Sequence, residues 1–335
     1  MTIDGPLHFM GALAFWALCL IGLAALVLAL ALAAPLSRPP MLASIQETAS
    51  AVDLSGMPDV SRLQARDGTD LAYRFYPAQT SGDGRAGSGR VAILAHGSSA
   101  SSASMHALAK ALAYSGVATY ALDMRGHGHS GTCGDIAYIG QLDDDLADFV
   151  ALIRKSDPDA RLLLIGHSSG GGFVLHIAGS ALQSQFARFV LLAPYLGYDA
   201  PSSRADAGGW ARPDIPRILA LSILRRIGVD CCSSLPVLAF ATAPNMQAIL
   251  TSVYSYRLMR GYATNDYRGD LANASAPIAL FDGADDELMD SGKYADAIRG
   301  FESKVTLRII PGVNHMAIVS GKTALTAIVA DALAN

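Results

Sequence analysis

Residues 161–179 read RLLLIGHSSGGGFVLHIAG and join two apolar segments through Gly166-His167-Ser168-Ser169-Gly170. The run before this turn predicts a buried strand, and the segment after it predicts a helix. A turn this tight holds its central residue in a strained conformation, and flanking glycines avoid side-chain clashes. The G-x-S-x-G pattern therefore predicts that Ser168 is presented at the carboxyl end of a strand, near a helix N-terminus that favours negative charge. A glycine-rich turn in which Ser168 only caps the helix is the alternative.

The alternation of strand and helix continues on both sides of this turn. Short apolar runs predict further strands at 90–97, 117–123, 187–194, 277–283 and 304–312. Helices are predicted at 104–115, 143–155, 170–182, 291–300 and 315–334. Continuous apolar strands that alternate with helices are typical of an α/β fold whose mostly parallel sheet is covered on both faces. In such folds ligands bind at the carboxyl ends of the strands.

The strand rhythm stops between about residues 195 and 275. About 80 residues between two strands is too long for a loop, and the segments 215–228 and 244–262 predict helices. We interpret this region as a helical cap inserted into the domain. Most of its aromatic side chains are expected to pack against the sheet, and a few to line a substrate pocket. Elsewhere, the Gly- and Ser-rich segment 81–89 predicts an exposed loop.

An activated serine needs a base, and the base needs an orienting acid. His315 follows a predicted strand and precedes the last predicted helix, so it is expected at the same sheet edge as Ser168. An acidic turn just past another strand supplies the acid, for which Asp286 is preferred. The alternatives in or beside this turn are Asp285, Asp282 and Asp290.

A tetrahedral intermediate needs two backbone N–H donors for its oxyanion. One is expected from Ser169, the residue after the nucleophile. The other is expected from the loop His96-Gly97-Ser98-Ser99. The Ser98 N–H is the candidate donor, and His96 is expected to brace the loop.

From about residue 61 to residue 335 the chain resembles an α/β-hydrolase of the serine-hydrolase group, in the monoacylglycerol lipase, lysophospholipase and serine aminopeptidase-type branch. The resemblance lies in HGSS at 96–99, DMRGHGHS at 123–130, GHSSG at 166–170, GADDEL at 283–288 and NH at 314–315. It implies an eight-stranded, mostly parallel sheet, a helical cap after the sixth strand, and a triad of Ser168, Asp286 and His315. The family's G-x-x-D spacing supports Asp286 over Asp285. Arg125, in the second motif, is expected to have a structural role.

The first forty residues predict a membrane anchor. No charged residue lies between Phe9 and Ser37, and about 26 apolar residues would form a helix of ~39 Å, enough to cross a ~30 Å hydrocarbon core. The run is longer than a signal-peptide core and no Lys or Arg precedes it, which favours an uncleaved single-pass helix at about 9–34. A cleaved signal peptide remains open because Ala29-Leu30-Ala31 and Ala31-Leu32-Ala33 resemble cleavage sites. The predicted organisation is an anchor at 1–40, a linker at 41–60 and a hydrolase domain at 61–335, on a side of the membrane left open.

Composition and motifs limit the partners. The chain has 25 Lys and Arg against 29 Asp and Glu, a net charge of −4, so no basic surface for nucleic acid is expected. No G-x-G-x-x-G or P-loop motif predicts a nucleotide cofactor. His127 and His129 lack companions at metal-ligand spacing, and the acidic run 143–145 is expected at a helix N-terminus rather than at a Ca²⁺ site. We therefore expect neither a cofactor nor a metal.

The sequence thus predicts a membrane-anchored serine hydrolase that cleaves a small-molecule or lipid carboxylic ester through an acyl-enzyme. A peptidase, amidase or thioesterase with the same triad is the alternative. A non-catalytic, membrane-tethered binding protein is disfavoured because Ser, Asp and His are all present. The natural substrate and the oligomeric state stay open.

Overall fold

The computed structural model describes residues 4–79, 89–243 and 250–334. Its strands are β1 (Ser61–Gln64), β2 (Asp70–Tyr76), β3 (Arg90–Ala95), β4 (Ala118–Leu122), β5 (Arg161–His167), β6 (Arg188–Leu192), β7 (Ala211–Pro213), β8 (Pro236–Phe240), β9 (Val253–Ser255), β10 (Ile278–Gly283) and β11 (Val305–Ile310). Its α-helices are α1 (Asp4–Ala33), α2 (Ala43–Ser50), α3 (His106–Tyr114), α4 (Gln141–Ser156), α5 (Ser169–Gly179), α6 (Ile215–Arg226), α7 (Tyr256–Gly261), α8 (Tyr267–Asn273), α9 (Tyr294–Ala297) and α10 (Lys322–Leu333). The loop predicted at 81–89 falls almost entirely outside the described residues, as do residues 244–249 of the helix predicted at 244–262.

The central sheet has eight strands in the order β1-β2-β4-β3-β5-β6-β10-β11. β2 pairs antiparallel with β1 and with β4, and the other neighbours pair in parallel. Parallel strands end at the same edge, so the carboxyl ends of β3, β5, β10 and β11 lie together. The prediction of a mostly parallel, eight-stranded α/β fold is confirmed.

Both faces of the central sheet are buried. Ile93 of β3 packs in one apolar cluster with Phe173 of α5 and Phe149 of α4. The next residue, Leu94, packs in a second cluster with Leu108 of α3 and Ile328 of α10. Successive side chains of a strand point to opposite faces, so the continuous apolar strands follow from a sheet covered on both sides.

The region between β6 and β10 is only partly helical. It holds α6, α7 and α8, and also a three-stranded antiparallel sheet in the order β7-β8-β9. The prediction of a mostly helical segment is therefore wrong at 253–255, where Val253 and Tyr254 pair with β8. Pairing with a distant strand decides the conformation of such a short apolar run, and local periodicity does not report it.

The N-terminal helix α1 is exposed along most of its length, and its end packs against the domain. Its segment Phe9–Ala33 is long and apolar enough to cross a membrane. No residue in the most apolar 18-residue stretch of this segment is buried. The following segment differs from the predicted unpatterned linker, because it contains α2. Ile45 of α2 is buried in the main core, and Asn314 Nδ2 donates a hydrogen bond to Thr48 Oγ1 at 3.1 Å. A single apolar side chain in an otherwise polar helix gives too weak a pattern to predict this packing.

Candidate active site

The backbone of Ser168 is strained where β5 passes into α5. Its φ of 54° lies in the left-handed region, which non-glycine residues rarely adopt. A Cβ on Gly166 would collide with the carbonyl oxygen of Gly170, and a Cβ on Gly170 would collide with that of His96. Both glycines are therefore required sterically, and the turn holds Ser168, largely buried, at the carboxyl edge of the sheet.

His315 and Asp286 form a buried pair at the same edge. His315 Nδ1 lies 2.7 Å from Asp286 Oδ2, and both side chains are almost fully buried. The other oxygen, Oδ1, accepts hydrogen bonds from the backbone N–H groups of Leu288 and Met289, each at 2.7 Å. Burial opposes ionisation of Asp286, but the charge and hydrogen bond of His315 and the Met289 N–H outweigh it and lower the pKa to about 2. An ionised Asp286 can hold the His315 ring with Nδ1 protonated.

The other acidic candidates of this segment lie in different surroundings. Asp285 is exposed, so it cannot serve as a shielded partner of His315. Asp282 is completely buried in β10, close to the carboxylate of Asp286. Burial first, and then the charge of Asp286, raise the pKa of Asp282 to about 9. Asp282 is therefore a neutral carboxylic acid at pH 7, which the sequence did not predict.

The main chain of His315 is fixed from both sides. Its N–H donates to Glu287 Oε2 at 3.0 Å, and its carbonyl oxygen accepts from His167 Nε2 at 3.0 Å. Burial, and then the charge of His315, lower the pKa of His167 to about 3, so His167 is a neutral donor. Sequence reasoning missed both residues, although each lies inside a quoted motif, because the motifs do not specify their partners.

His167 also brings Ser168 and His315 together. The rings of His167 and His315 are 4.8 Å apart between centroids, and Ser168 is the next residue along the chain. No hydrogen bond joins the Ser168 hydroxyl to His315 among the described residues. Serine–histidine contacts are often long in free enzymes and tighten when substrate binds.

The loop after β3 passes directly over Ser168. A Cβ on Gly97 would lie 3.2 Å from Ser168 Cβ, which places the adjoining Ser98 close to the nucleophile. Ser98 Oγ accepts a hydrogen bond from Trp210 Nε1 at 2.8 Å, whereas no acceptor among the described residues takes the Ser98 N–H. Ser169 is the first residue of α5, where backbone N–H groups lack intrahelical acceptors. Both predicted donors therefore lie beside Ser168.

A second aromatic side chain from the region between β6 and β10 braces this loop. The Ser99 N–H donates to the Tyr254 hydroxyl at 2.9 Å, and that hydroxyl also contacts His127 Nε2 at 2.5 Å. Ser99 has a φ of 67°, so its strained backbone depends on such contacts. His96 fixes the start of this loop, because its Nε2 atom accepts a hydrogen bond from the Met124 N–H at 3.2 Å.

Arg125 lies farther from Ser168 and binds two carboxylates. It donates to Asp145 at 2.6 Å and to Asp67 at 2.9 Å, with its own side chain 6% exposed. These ion pairs hold the glycine-rich turn at 126–131 in place, which is the structural role expected for Arg125. Asp143 and Asp144 lie in the first turn of α4, as predicted. Within the described ranges no group of three or more His, Cys, Asp or Glu side chains could hold a metal ion.

Comparisons with known proteins agree with this architecture. A family model described as serine aminopeptidase, S33, matches residues 88–320. The monoacylglycerol lipase of Mycolicibacterium smegmatis is 27% identical over 236 residues, which are 67% of this chain and 80% of that protein. A soluble variant of monoglyceride lipase from Saccharomyces cerevisiae superposes with a TM-score of 0.61 at 16% identity, over 84% of this chain and 96% of that one. A membrane phospholipase A, described as a bacterial virulence factor, superposes with a TM-score of 0.56 at 18% identity, over 97% and 98% of the two chains.

Proposed function

The chain belongs to the serine aminopeptidase S33 family, and from that premise we propose that it is a membrane-anchored serine hydrolase that cleaves carboxylic esters. One observation supports the proposal: the ring of His315, whose Nδ1 lies 2.7 Å from Asp286 Oδ2, is 4.8 Å from the ring of His167, the residue directly before the strained Ser168. A base with an orienting acid next to a presented hydroxyl is the arrangement that acyl transfer requires.

The proposed reaction forms and then breaks an acyl-enzyme. Ser168 Oγ attacks the ester carbonyl carbon while His315 Nε2 takes the hydroxyl proton. The resulting oxyanion is bound by the N–H groups of Ser98 and Ser169. His315 returns its proton to the leaving alcohol as the ester bond breaks, and a water molecule then hydrolyses the acyl-enzyme by the same two proton transfers.

Asp286 stabilises the imidazolium form of His315 that arises in each step. Its carboxylate fixes the tautomer with the proton on His315 Nδ1 and offsets the positive charge of the imidazolium. Its low pKa, about 2, keeps it ionised throughout the range in which an ester hydrolase works.

Two similar proteins that are lipases favour an ester over an amide substrate. One relative is a monoacylglycerol lipase and one structural neighbour is a monoglyceride lipase, each an enzyme named for a lipid ester. A peptidase, amidase or thioesterase would use the same residues, so matched p-nitrophenyl ester, p-nitroanilide and thioester substrates of one acyl group separate these activities. Faster turnover of the anilide would contradict the ester proposal.

The anchor proposal rests on the length of the apolar segment of α1. Phe9–Ala33 has 25 residues, which is longer than the ~7–15 residue apolar core of a signal peptide. Leu32, near the end of α1, packs on the apolar cluster of Leu221 and Tyr256, and Arg217 hydrogen-bonds the carbonyl oxygen of Ala34. These contacts hold the end of α1 against α6. We accordingly retain the division into an anchor at 1–40, a linker at 41–60 and a hydrolase domain at 61–335 with a cap at about 195–275. Resistance to alkaline carbonate extraction, with the intact mass of 34.9 kDa, is the expected result.

A fluorophosphonate probe tests the nucleophile. We expect the probe to label the purified full-length protein and to fail on Ser168→Ala. Ser169→Ala is the matched control, because it removes a neighbouring hydroxyl but keeps the backbone N–H, and it should be labelled like the wild type. Equal labelling of Ser168→Ala would eliminate Ser168 as the nucleophile.

A further inference from the structure

Helix α6 exposes a continuous apolar row to solvent. Ile215, Leu219, Ile223 and Ile227, the last just past the helix end, are spaced four residues apart and are 49% to 67% exposed. Residues at this spacing lie on one side of a helix. The opposite side of α6 is used for packing, since Leu221 is buried with Val237 of β8. A row of four exposed branched side chains is unusual for a surface in water and marks an interaction site.

The position of α6 relative to α1 indicates that the apolar row lies at the level of the membrane surface. Leu32 of α1 packs on the same cluster as Leu221 of α6, and Arg217 of α6 bonds the carbonyl oxygen of Ala34. The apolar segment of α1 ends at Ala33 and has 25 residues, about 37 Å as a helix against ~30 Å of hydrocarbon. The end of α1 therefore lies at the boundary between acyl chains and headgroups, and α6 lies at the same level.

The charge around the row complements anionic headgroups. The segment 211–230 contains four arginines and two aspartates, a net charge of +2, whereas the whole chain carries −4. Arg217 is buried and pairs with Asp214, so the exposed positive charge lies on the other three arginines. Arg225 and Arg226 are exposed in the last turn of α6, directly beside the apolar row, although Arg225 also pairs with Asp230 at 3.4 Å. An apolar row flanked by arginines is the pattern of a helix that lies in the plane of the membrane surface.

We propose that the α6 row (Ile215, Leu219, Ile223 and Ile227) inserts into the headgroup–acyl boundary of the bilayer that holds α1, and that the enzyme takes its ester substrate from that bilayer. The row begins five residues after Trp210, whose indole contacts Ser98 of the candidate oxyanion loop. Docking of α6 therefore places the approach to Ser168 next to the lipid. This inference rests on the proposed function, because it requires both the anchor and the esterase activity.

The first test measures substrate transfer with full-length protein reconstituted into phosphatidylcholine vesicles containing phosphatidylglycerol. We expect Leu219→Ser/Ile223→Ser to lower hydrolysis of vesicle-embedded monoacylglycerol at least about tenfold and to leave p-nitrophenyl acetate turnover unchanged. The matched control, Tyr114→Ser/Ile309→Ser, alters exposed apolar residues outside α6 and should change neither rate. Equal loss of both rates in the α6 variant, or no loss of either, would overturn the docking proposal. Absence of p-nitrophenyl acetate turnover in the wild type would instead contradict the proposed function.

A second test does not depend on activity. In a Trp16→Phe/Trp210→Phe background, where the introduced tryptophan is the sole one in the chain, the fluorescence of Ile223→Trp should be quenched by brominated lipid, whereas that of Ile309→Trp should not. Lack of quenching at residue 223 would overturn the proposal. Efficient cross-linking between two Ile223→Cys chains would also overturn it, because the row would then be an interface between copies.

Discussion

Asp282 is buried beside Asp286, and the two carboxyl groups have opposite protonation states at neutral pH. The pKa of Asp286 is lowered to about 2, because His315 and the Met289 N–H outweigh the effect of burial. The pKa of Asp282 is raised to about 9, because burial and the charge of Asp286 both disfavour a second anion. A neutral carboxyl group next to an anion can act as a hydrogen-bond donor toward it.

We expect Asp282→Asn to stabilise the protein, and increasingly so as the pH rises. Above pH 4 the unfolded chain ionises at Asp282 while the folded chain keeps its proton until about pH 9, so folding loses stability with rising pH. Asparagine keeps the size and a hydrogen-bond donor but does not titrate, so the substitution removes a cost to folding of up to about 4 kcal/mol at pH 7.

The pH dependence of this effect can be measured by thermal unfolding. The thermal midpoint of the detergent-solubilised Asp282→Asn variant should exceed that of the wild type by more at pH 8 than at pH 5. Asp285→Asn, at an exposed neighbour, should change neither midpoint, and a pH-independent effect of Asp282→Asn would contradict the argument.

The same acidic turn allows the role of Asp286 to be separated from that of Asp285. We expect Asp286→Asn to lower kcat/KM for p-nitrophenyl esters by about 10³- to 10⁴-fold, because the amide no longer stabilises the imidazolium and favours the wrong tautomer. Asp285→Asn should keep nearly full activity, since Asp285 is exposed and does not contact His315. Comparable losses in the two variants would mean that Asp286 is not the orienting acid.

The parts of this site that the sequence predicts are those that depend on local geometry. The turn at Ser168 needs two glycines within five residues, and His315 and Asp286 each follow a strand directly, so spacing alone brings them to one edge. The hydrogen bond from Ser99 to Tyr254 joins residues 155 positions apart, and no local pattern reports it. The protonation of Asp282 likewise depends on burial and on a neighbouring charge, neither of which is visible in its residue type.

Tyr254 should therefore matter to catalysis although it belongs to no predicted site. Tyr254→Phe leaves the Ser99 N–H without its acceptor and removes the partner of His127 Nε2. An unpaired buried donor costs about 1–3 kcal/mol, so we expect the oxyanion loop to loosen and kcat to fall about tenfold with little change in KM. Tyr256→Phe is the control, because it removes a hydroxyl of the same region whose side-chain partner among the described residues is Ser222. A loss in KM alone would indicate that Tyr254 shapes substrate binding rather than the loop.

The pairing of Arg125 with Asp145 should dominate the stability of the turn that carries His127. Burial, together with the charges of Asp67 and Asp148, raises the pKa of Asp145 although Arg125 lowers it. Burial opposes the charge of Arg125 as well, but the hydrogen bonds of Arg125 to Asp145 and Asp67 outweigh this effect and raise its pKa. The cost of burying both charges offsets much of their attraction. Removal of one partner is different, because Asp145→Ala leaves a buried guanidinium with Asp67 as its only carboxylate partner among the described residues. We expect a loss of about 3 kcal/mol in the free energy of unfolding. Among the described residues, the side chain of Asp144 forms an exposed ion pair with Arg66 and accepts a hydrogen bond from Tyr138, so Asp144→Ala should cost less than about 1 kcal/mol. Chemical denaturation of both variants in detergent measures the difference, and equal losses would show that the burial of Arg125 is not what makes Asp145 necessary.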